Sequence, residues 1–232
     1  MESGPIRDRL ASIERSIEAG SYRPGTWEGL VREVRSFPQA ERAALAEDLS
    51  RVSRELHRRH QYFTIPFAAA FAFEIAVAVL GLIILIVGLR HESNLLVMAA
   101  AAMWTIAFQP LVKVSTGLLL GITYDYAYLY HWEPRFKTNY GKYLAASRSW
   151  RIIFHLAGMI GSPLGLWLPT LWMDSHLTVA FYICLAFFWL IVATNLGTLI
   201  PALAGIRKIG SFRFRDSSAG MAAVEIREAL GL

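Results

Sequence analysis

A chain of 232 residues with 55% hydrophobic side chains and a mean hydropathy of +0.39 carries more apolar surface than one soluble core of that length can hide. Its net charge of +5 is modest, more than half of its charged residues fall in the first 60 positions, and its single cysteine, Cys184, excludes an intrachain disulfide. These proportions argue against an ordinary soluble enzyme domain and lead to the expectation of an all-α polytopic membrane protein, with four transmembrane helices and an N-terminal cytoplasmic helical hairpin.

Residues 1–62 read as a cytoplasmic amphipathic region. No short apolar core follows Met1, so no signal peptide is expected and the first span acts as its own insertion signal. Ile6, Leu10, Ile13 and Ile17 recur at helical spacing over 6–19, with Gly20 as a stop. Arg23-Pro24-Gly25 is a turn, and Thr26 can cap a short helix carrying Trp27, Leu30, Val31 and Val34. Pro38 suits the first turn of a third helix, whose stripe is Leu45, Leu49, Val52 and Leu56. The stripes are short for a coiled coil, so an intrachain hairpin is preferred to an intermolecular one. The third helix ends in Arg51, Arg54, His57, Arg58, Arg59 and His60, a juxtamembrane cluster suited to anionic lipid or simply to setting topology.

A four-helix transmembrane domain is expected over 63–206. A helix rising about 1.5 Å per residue needs about 20 apolar residues to cross hydrocarbon. Four segments qualify: 64–89, whose only charge is Glu74; 95–120, whose only charge is Lys113; 152–173, with His155 but no formal charge; and 177–206, uncharged. In the third, Gly161-Ser162-Pro163 predicts a kink, and a re-entrant hairpin is the alternative. Gly158, Gly161 and Gly165 read as a packing surface. Basic residues crowd the segment before the first span, the loop 121–151 (Arg135, Lys137, Lys142, Arg148, Arg151) and the tail 207–232 (Arg207, Lys208, Arg213, Arg215), whereas the two remaining connections hold Arg90 alone. Positive charge stays on the cytoplasmic side, so both termini and the middle loop are expected there, in the cell (inner) membrane. Ser217 or Ser218 can cap a final helix to about Leu230.

Two groups of residues could carry chemistry. In the loop 121–151, Tyr124, Tyr126, Tyr128 and Tyr130 alternate as in a strand, yet no partner strand is evident and a lone strand is unstable. A helical extension of the second span is therefore expected, with Tyr124, Tyr128 and His131 on one face and a stop before Pro134. Tyr hydroxyls with Arg and Lys suit a phosphate or sugar-phosphate headgroup, which makes Tyr124, Asp125, Tyr128, His131, Arg135, Lys137, Tyr140, Arg148 and Arg151 candidate ligand contacts. An interfacial aromatic belt beside a basic loop explains the same rings and bases, but not Asp125, His131 or Glu133. His131 and Glu133 are the candidate acid/base pair if the chain is an enzyme, a point the residues leave open.

The second group is intramembrane: Glu74 near the middle of its span, and Gln109, Lys113, His155 and Asn195 in the cytoplasmic half of theirs. A charge in hydrocarbon costs at least about 2.5–3.5 kcal/mol, so Glu74 and Lys113 should pair, find water or neutralise, or Lys113 should snorkel. No cofactor and no metal site is expected; Walker, paired-cysteine, histidine-box and nucleophile-elbow motifs are missing. The expected function is binding of an anionic amphipathic lipid-like ligand from the cytoplasmic leaflet, for transport or lipid modification. The alternative is a non-catalytic subunit or scaffold of a larger membrane complex; besides membrane lipids, the candidate partners are a second copy in a homo-oligomer or the subunits of such a complex. Nucleic acid is not an expected partner.

Overall fold

The computed structural model describes residues 4–130, 133–206, 208–214 and 217–231, residue 133 by its backbone alone. The chain is 75% helical and divides into two compact units, Met1–Phe67 with Leu118–Ser147, and Ala68–Gly117 with Arg148–Leu232.

The first unit begins with α1 (Gly4–Glu18), α2 (Thr26–Arg35), α3 (Gln39–Ala44) and α4 (Ala46–Arg58). The expected third helix is thus two, divided at Leu45, whose backbone (φ −99°, ψ 0°) leaves the regular spiral. The apolar stripes meet inside this unit. Leu10 and Ile13 of α1, Leu30 and Val34 of α2, Leu45, and Leu49 and Val52 of α4 are all buried. Burying a Leu or Val side chain contributes roughly 1.5–3 kcal/mol, which is ample reason for these short helices to associate.

The loop 121–151 corrects the helical expectation. Gly121, at φ +75°, follows the end of the second apolar helix, Asn94–Leu119, in the left-handed region. The tyrosine repeat is strand β2 (Tyr124–Tyr130), flanked by β1 (Thr64–Ile65) and β3 (Glu133–Thr138) in an antiparallel sheet of order β1-β2-β3. The missing partner is 133–138, disguised by Pro134 and three charges. As an edge strand it tolerates a proline, because the absent N–H faces no neighbour. The first apolar helix consequently starts at Phe67 rather than at Thr64, which is paired with Tyr128. A short helix, α7 (Tyr140–Ala145), follows, capped by Asn139. Gly141 allows backbone contact there: a Cβ would lie 1.6 Å from the Ala46 carbonyl oxygen.

The second unit holds α5 (Phe67–Arg90), most of α6 (Asn94–Leu119), α8 (Arg148–Thr170), α9 (Thr178–Leu203) and α10 (Ser218–Leu230). Four helices, the last counted with its leading turn from Ser175, are long and apolar enough to span a membrane. Half of the apolar window of α8 is buried, against 17–28% for the others, so α8 is the central helix. Gly161 and Gly165 make that possible. A Cβ at either would fall 2.5 Å from the backbone of α6, at Gln109 and Thr105. The helix runs unbroken through Pro163. A proline there leaves the Met159 carbonyl without its helical donor, and Asn195 Nδ2 of α9 donates to that oxygen at 3.0 Å.

The final helix packs antiparallel on the first half of α8. Ser218 lies against Gly158, Glu225 against Arg151, and the Glu228 carbonyl against Arg148, one step down α8 for each step up α10. Ser217 caps α10, accepting from the Gly220 N–H, and Gly231 closes it at φ +73°.

Candidate functional site

The polar residues with the most developed surroundings lie in the first unit, where α4 faces the sheet. A register shift between Tyr124 and Tyr126 decides which side chains meet it. Tyr124 pairs with Thr138, then one residue is inserted, and Tyr126 pairs with Lys137. The bulge sends Tyr124 to one face, stacked on Phe67 and beside Phe136, and gathers Tyr126, Tyr128, Arg135 and Lys137 on the other. Asp125, the inserted residue, accepts from Arg54 Nη1 (3.2 Å) and Asn139 Nδ2 (3.0 Å) through one oxygen, and its other carboxylate oxygen is buried with no hydrogen-bond partner among the described residues.

Along α4, Ser53, Leu56 and His57 share one helical stripe, and His60 follows in the turn after it, its N–H donating to the His57 carbonyl at 3.1 Å. His57 Nδ1 sits 2.9 Å from the Tyr126 hydroxyl, and its ring lies edge-on to Tyr128 with centroids 4.3 Å apart. Tyr62 stacks on His60 and touches Tyr128 and Tyr130, so histidine and tyrosine rings form one continuous cluster. Lys137 Nζ donates to Ser53 Oγ at 2.8 Å. Burial, with Lys137 and His60 nearby, lowers His57 from 6.5 to about 4, with Asp125 acting in the opposite sense. Burial also lowers Lys137 from 10.5 to about 8; Asp125 opposes this and Arg54 adds to it. Burial pushes the Tyr124 phenol up, and burial with Asp125 does the same to Tyr126.

Two cavities open on His57. The larger, about 610 Å³, takes Tyr22, Trp27, Ser53, Arg59, His60 and Lys137 into its wall. The smaller, about 550 Å³, lies beside Arg58, Tyr62, Pro66 and Tyr126. Arg59 is held over the Tyr22 ring, 5.5 Å from its centroid.

The residues singled out from the sequence separate. Asp125, Tyr128, Arg135 and Lys137 belong to the sheet beside α4, with Arg135 over the Tyr130 ring at 4.5 Å. Tyr124 lies on the opposite face, which corrects its grouping with Tyr128. Tyr140 contacts Trp27 and Tyr143. His131 lies outside the described residues, as does the side chain of Glu133, whose backbone pairs with Tyr130.

Arg148 and Arg151 belong to the second unit and are engaged there rather than offered to a headgroup. Arg151, with no exposed side-chain surface, pairs with the equally buried Glu225 at 2.9 Å, and Arg148 donates to the Glu228 carbonyl at 2.8 Å. Of the alternatives for Glu74 and Lys113, a direct pair is not found among the described residues. Lys113 Nζ donates to Ser218 Oγ at 3.0 Å and lies 5.1 Å from the Phe154 ring centroid. Glu74 is buried on the α5 face that also carries Gly81 and Leu85, and one of its carboxylate oxygens has no hydrogen-bond partner among the described residues. His155 is buried beside Phe154, Asn195 serves the Met159 carbonyl, and Gln109 is exposed. Among the described residues no cluster of His, Cys, Asp and Glu could hold a metal ion.

Sequence reasoning missed Ser53, His57, Tyr126 and Asn139 as members of one site. The stripe 53–56–57 was available as a polar continuation of the apolar face of α4, but its partners come 69 to 84 residues later. No protein family, no curated protein and no solved structure matches this chain.

Proposed function

We propose that this chain is an integral membrane protein that binds an anionic amphipathic ligand through its polar unit. Both termini and the segment carrying β2 and β3 lie on the cytoplasmic side. The observation that carries the reading is the larger cavity: Arg59, His57 and His60 converge on about 610 Å³ of space also walled by Trp27 and Tyr22. Cations and hydrogen-bond donors suit a phosphate group, and flat aromatic walls suit the sugar or glycerol that carries it. Arg59 and His60 directly precede the segment that leads into the first apolar helix at Phe67, which favours a ligand drawn from the bilayer over a freely soluble one. The scaffold reading loses its motive, since the apolar stripes of α1, α2 and α4 are spent on one another.

Native mass spectrometry of the full chain in mild detergent tests this. Phosphatidylglycerol is expected to be retained over phosphatidylcholine, with retention falling about tenfold or more in Arg59→Ala/His60→Ala, a loss of about 1.4 kcal/mol or more. Equal retention of the two lipids, or a variant that holds phosphatidylglycerol as the parent does, overturns the assignment.

A further inference from the structure

Two serines on α4 lie within one turn of each other and live in different surroundings. Ser50 Oγ is occupied three ways, by the Ala46 carbonyl, the Asn139 amide oxygen and the Gly141 N–H. It fastens α4 to α7 and has nothing left to offer. Ser53 makes none of the local backbone bonds that helical serines commonly adopt. Among the described residues its one hydrogen bond is with Lys137 Nζ at 2.8 Å, and both residues line the larger cavity together with His57, one turn further along α4.

We propose that Ser53 is a nucleophile activated by Lys137, and that with His57 it forms an acyl-transfer site acting on the ester of an anionic amphiphile held in this cavity. For the identity of its acyl donor, the proposal rests on the binding reading above. An amine can serve as general base only when neutral, and the burial that holds Lys137 at about 8 supplies a substantial neutral fraction near physiological pH. A phenol is a better donor than acceptor, so the Tyr126 hydroxyl donates to His57 Nδ1. That leaves the proton of the neutral imidazole on Nε2, as a donor for a developing oxyanion. The low proton affinity of His57 keeps the ring in this state. Tyr126 is thus a positioning residue.

The step balances as follows. Lys137 Nζ takes the Ser53 hydroxyl proton while Oγ adds to the ester carbonyl carbon, and the carbonyl electron pair moves onto oxygen, facing the His57 Nε2–H. Collapse restores the C=O bond and breaks the bond to the leaving alcohol, which receives the proton from Lys137. Water then adds to the Ser53 ester with Lys137 again taking a proton. The free acid leaves, and the proton returns to Oγ.

A fluorophosphonate tests the site without requiring the natural ester, because Oγ displaces fluoride from phosphorus and leaves a stable adduct. The full chain in detergent is expected to carry one adduct, located by peptide mass on Ser53. Labelling should accelerate as pH rises through about 8, be lost in Ser53→Ala, and slow about 100-fold in Lys137→Met. A folded parent protein that gives no Ser53 adduct at about pH 9 overturns the proposal, and so does a folded Lys137→Met that labels at the parental rate. Should Lys137→Met fail to fold, the parent's pH profile decides: a rate flat from about pH 6 to 9.5 overturns the proposal. Lipid retention on the same sample separates the two readings. An adduct without retained phosphatidylglycerol removes the binding proposal and with it the assigned acyl donor but keeps Ser53 as the nucleophile, and retained lipid without an adduct removes only this proposal.

Discussion

His57 is placed where several opposing effects act on one proton. Its ring is packed against Tyr62, Tyr126 and Tyr128, with Lys137 and His60 on the cavity side and the Asp125 charge opposing them. Together these hold it near 4, below the ordinary 6.5. Between those values the unfolded chain binds a proton that the folded chain does not. Stability attributable to His57 therefore rises with pH across this window and is lost as pH falls from about 6.5 to about 4. Thermal unfolding of the detergent-solubilised protein should show a midpoint that declines over this range. His57→Asn, which has no proton to gain, should decline less steeply; parallel slopes for the two proteins would contradict the placement. Asp125 and the other carboxylates contribute to both proteins alike, so the difference between the slopes isolates His57.

The elements show which parts of the molecule a sequence can disclose. The four long apolar helices were legible because hydropathy is a one-dimensional signal, and α8 could be read as packed through its glycines. Strand β2 was not legible, although Tyr124–Tyr130 alternates plainly, because a strand is defined by its partner and Glu133–Thr138 offers a proline and three charges where an apolar alternation is sought. The site on α4 was hidden for the same reason, since Ser53 and His57 acquire meaning only through a sheet far along the chain.

The tail was legible as a helix, but its task was not. Arg151 looked like a headgroup contact because sequence alone could not show Glu225 lying against it. That pair sits wholly inside the second unit, where removing one partner strands a charge. Arg151→Ala or Glu225→Ala should each cost about 3–5 kcal/mol of stability, whereas Arg151→Met/Glu225→Leu should recover most of the loss, because apolar replacement of a buried pair is often neutral. Thermal or denaturant unfolding of the three variants checks this. A double variant as unstable as either single one would mean that the pair positions α10 in a way that apolar packing cannot replace.

At the scale of the whole chain, the continuity of α8 bears directly on topology. A re-entrant hairpin at Gly161-Ser162-Pro163 would return residues 171–177 to the side from which Arg148 started. α8 instead runs from Arg148 to Thr170 without a break, and the Met159 carbonyl freed by Pro163 is taken up by Asn195, which removes the reason to bend the chain back. A helix of 23 residues rising about 1.5 Å each reaches across roughly 30 Å of hydrocarbon. On the proposed reading, an even number of crossings returns both termini to one side, and the crowding of Arg and Lys on that side makes it the cytoplasmic one. Four single-cysteine proteins built on Cys184→Ser test this with a membrane-impermeant maleimide on intact cells or right-side-out vesicles. His91→Cys and Ser175→Cys, both at exposed positions in the connections, should react at once. Ser36→Cys and Ser211→Cys, exposed in the N-terminal region and between β4 (Lys208–Ile209) and β5 (Phe212–Arg213), should react only after the membrane is opened. Protection of Ser175→Cys alongside Ser36→Cys would mean that α8 fails to cross, and the four-span arrangement would have to be abandoned.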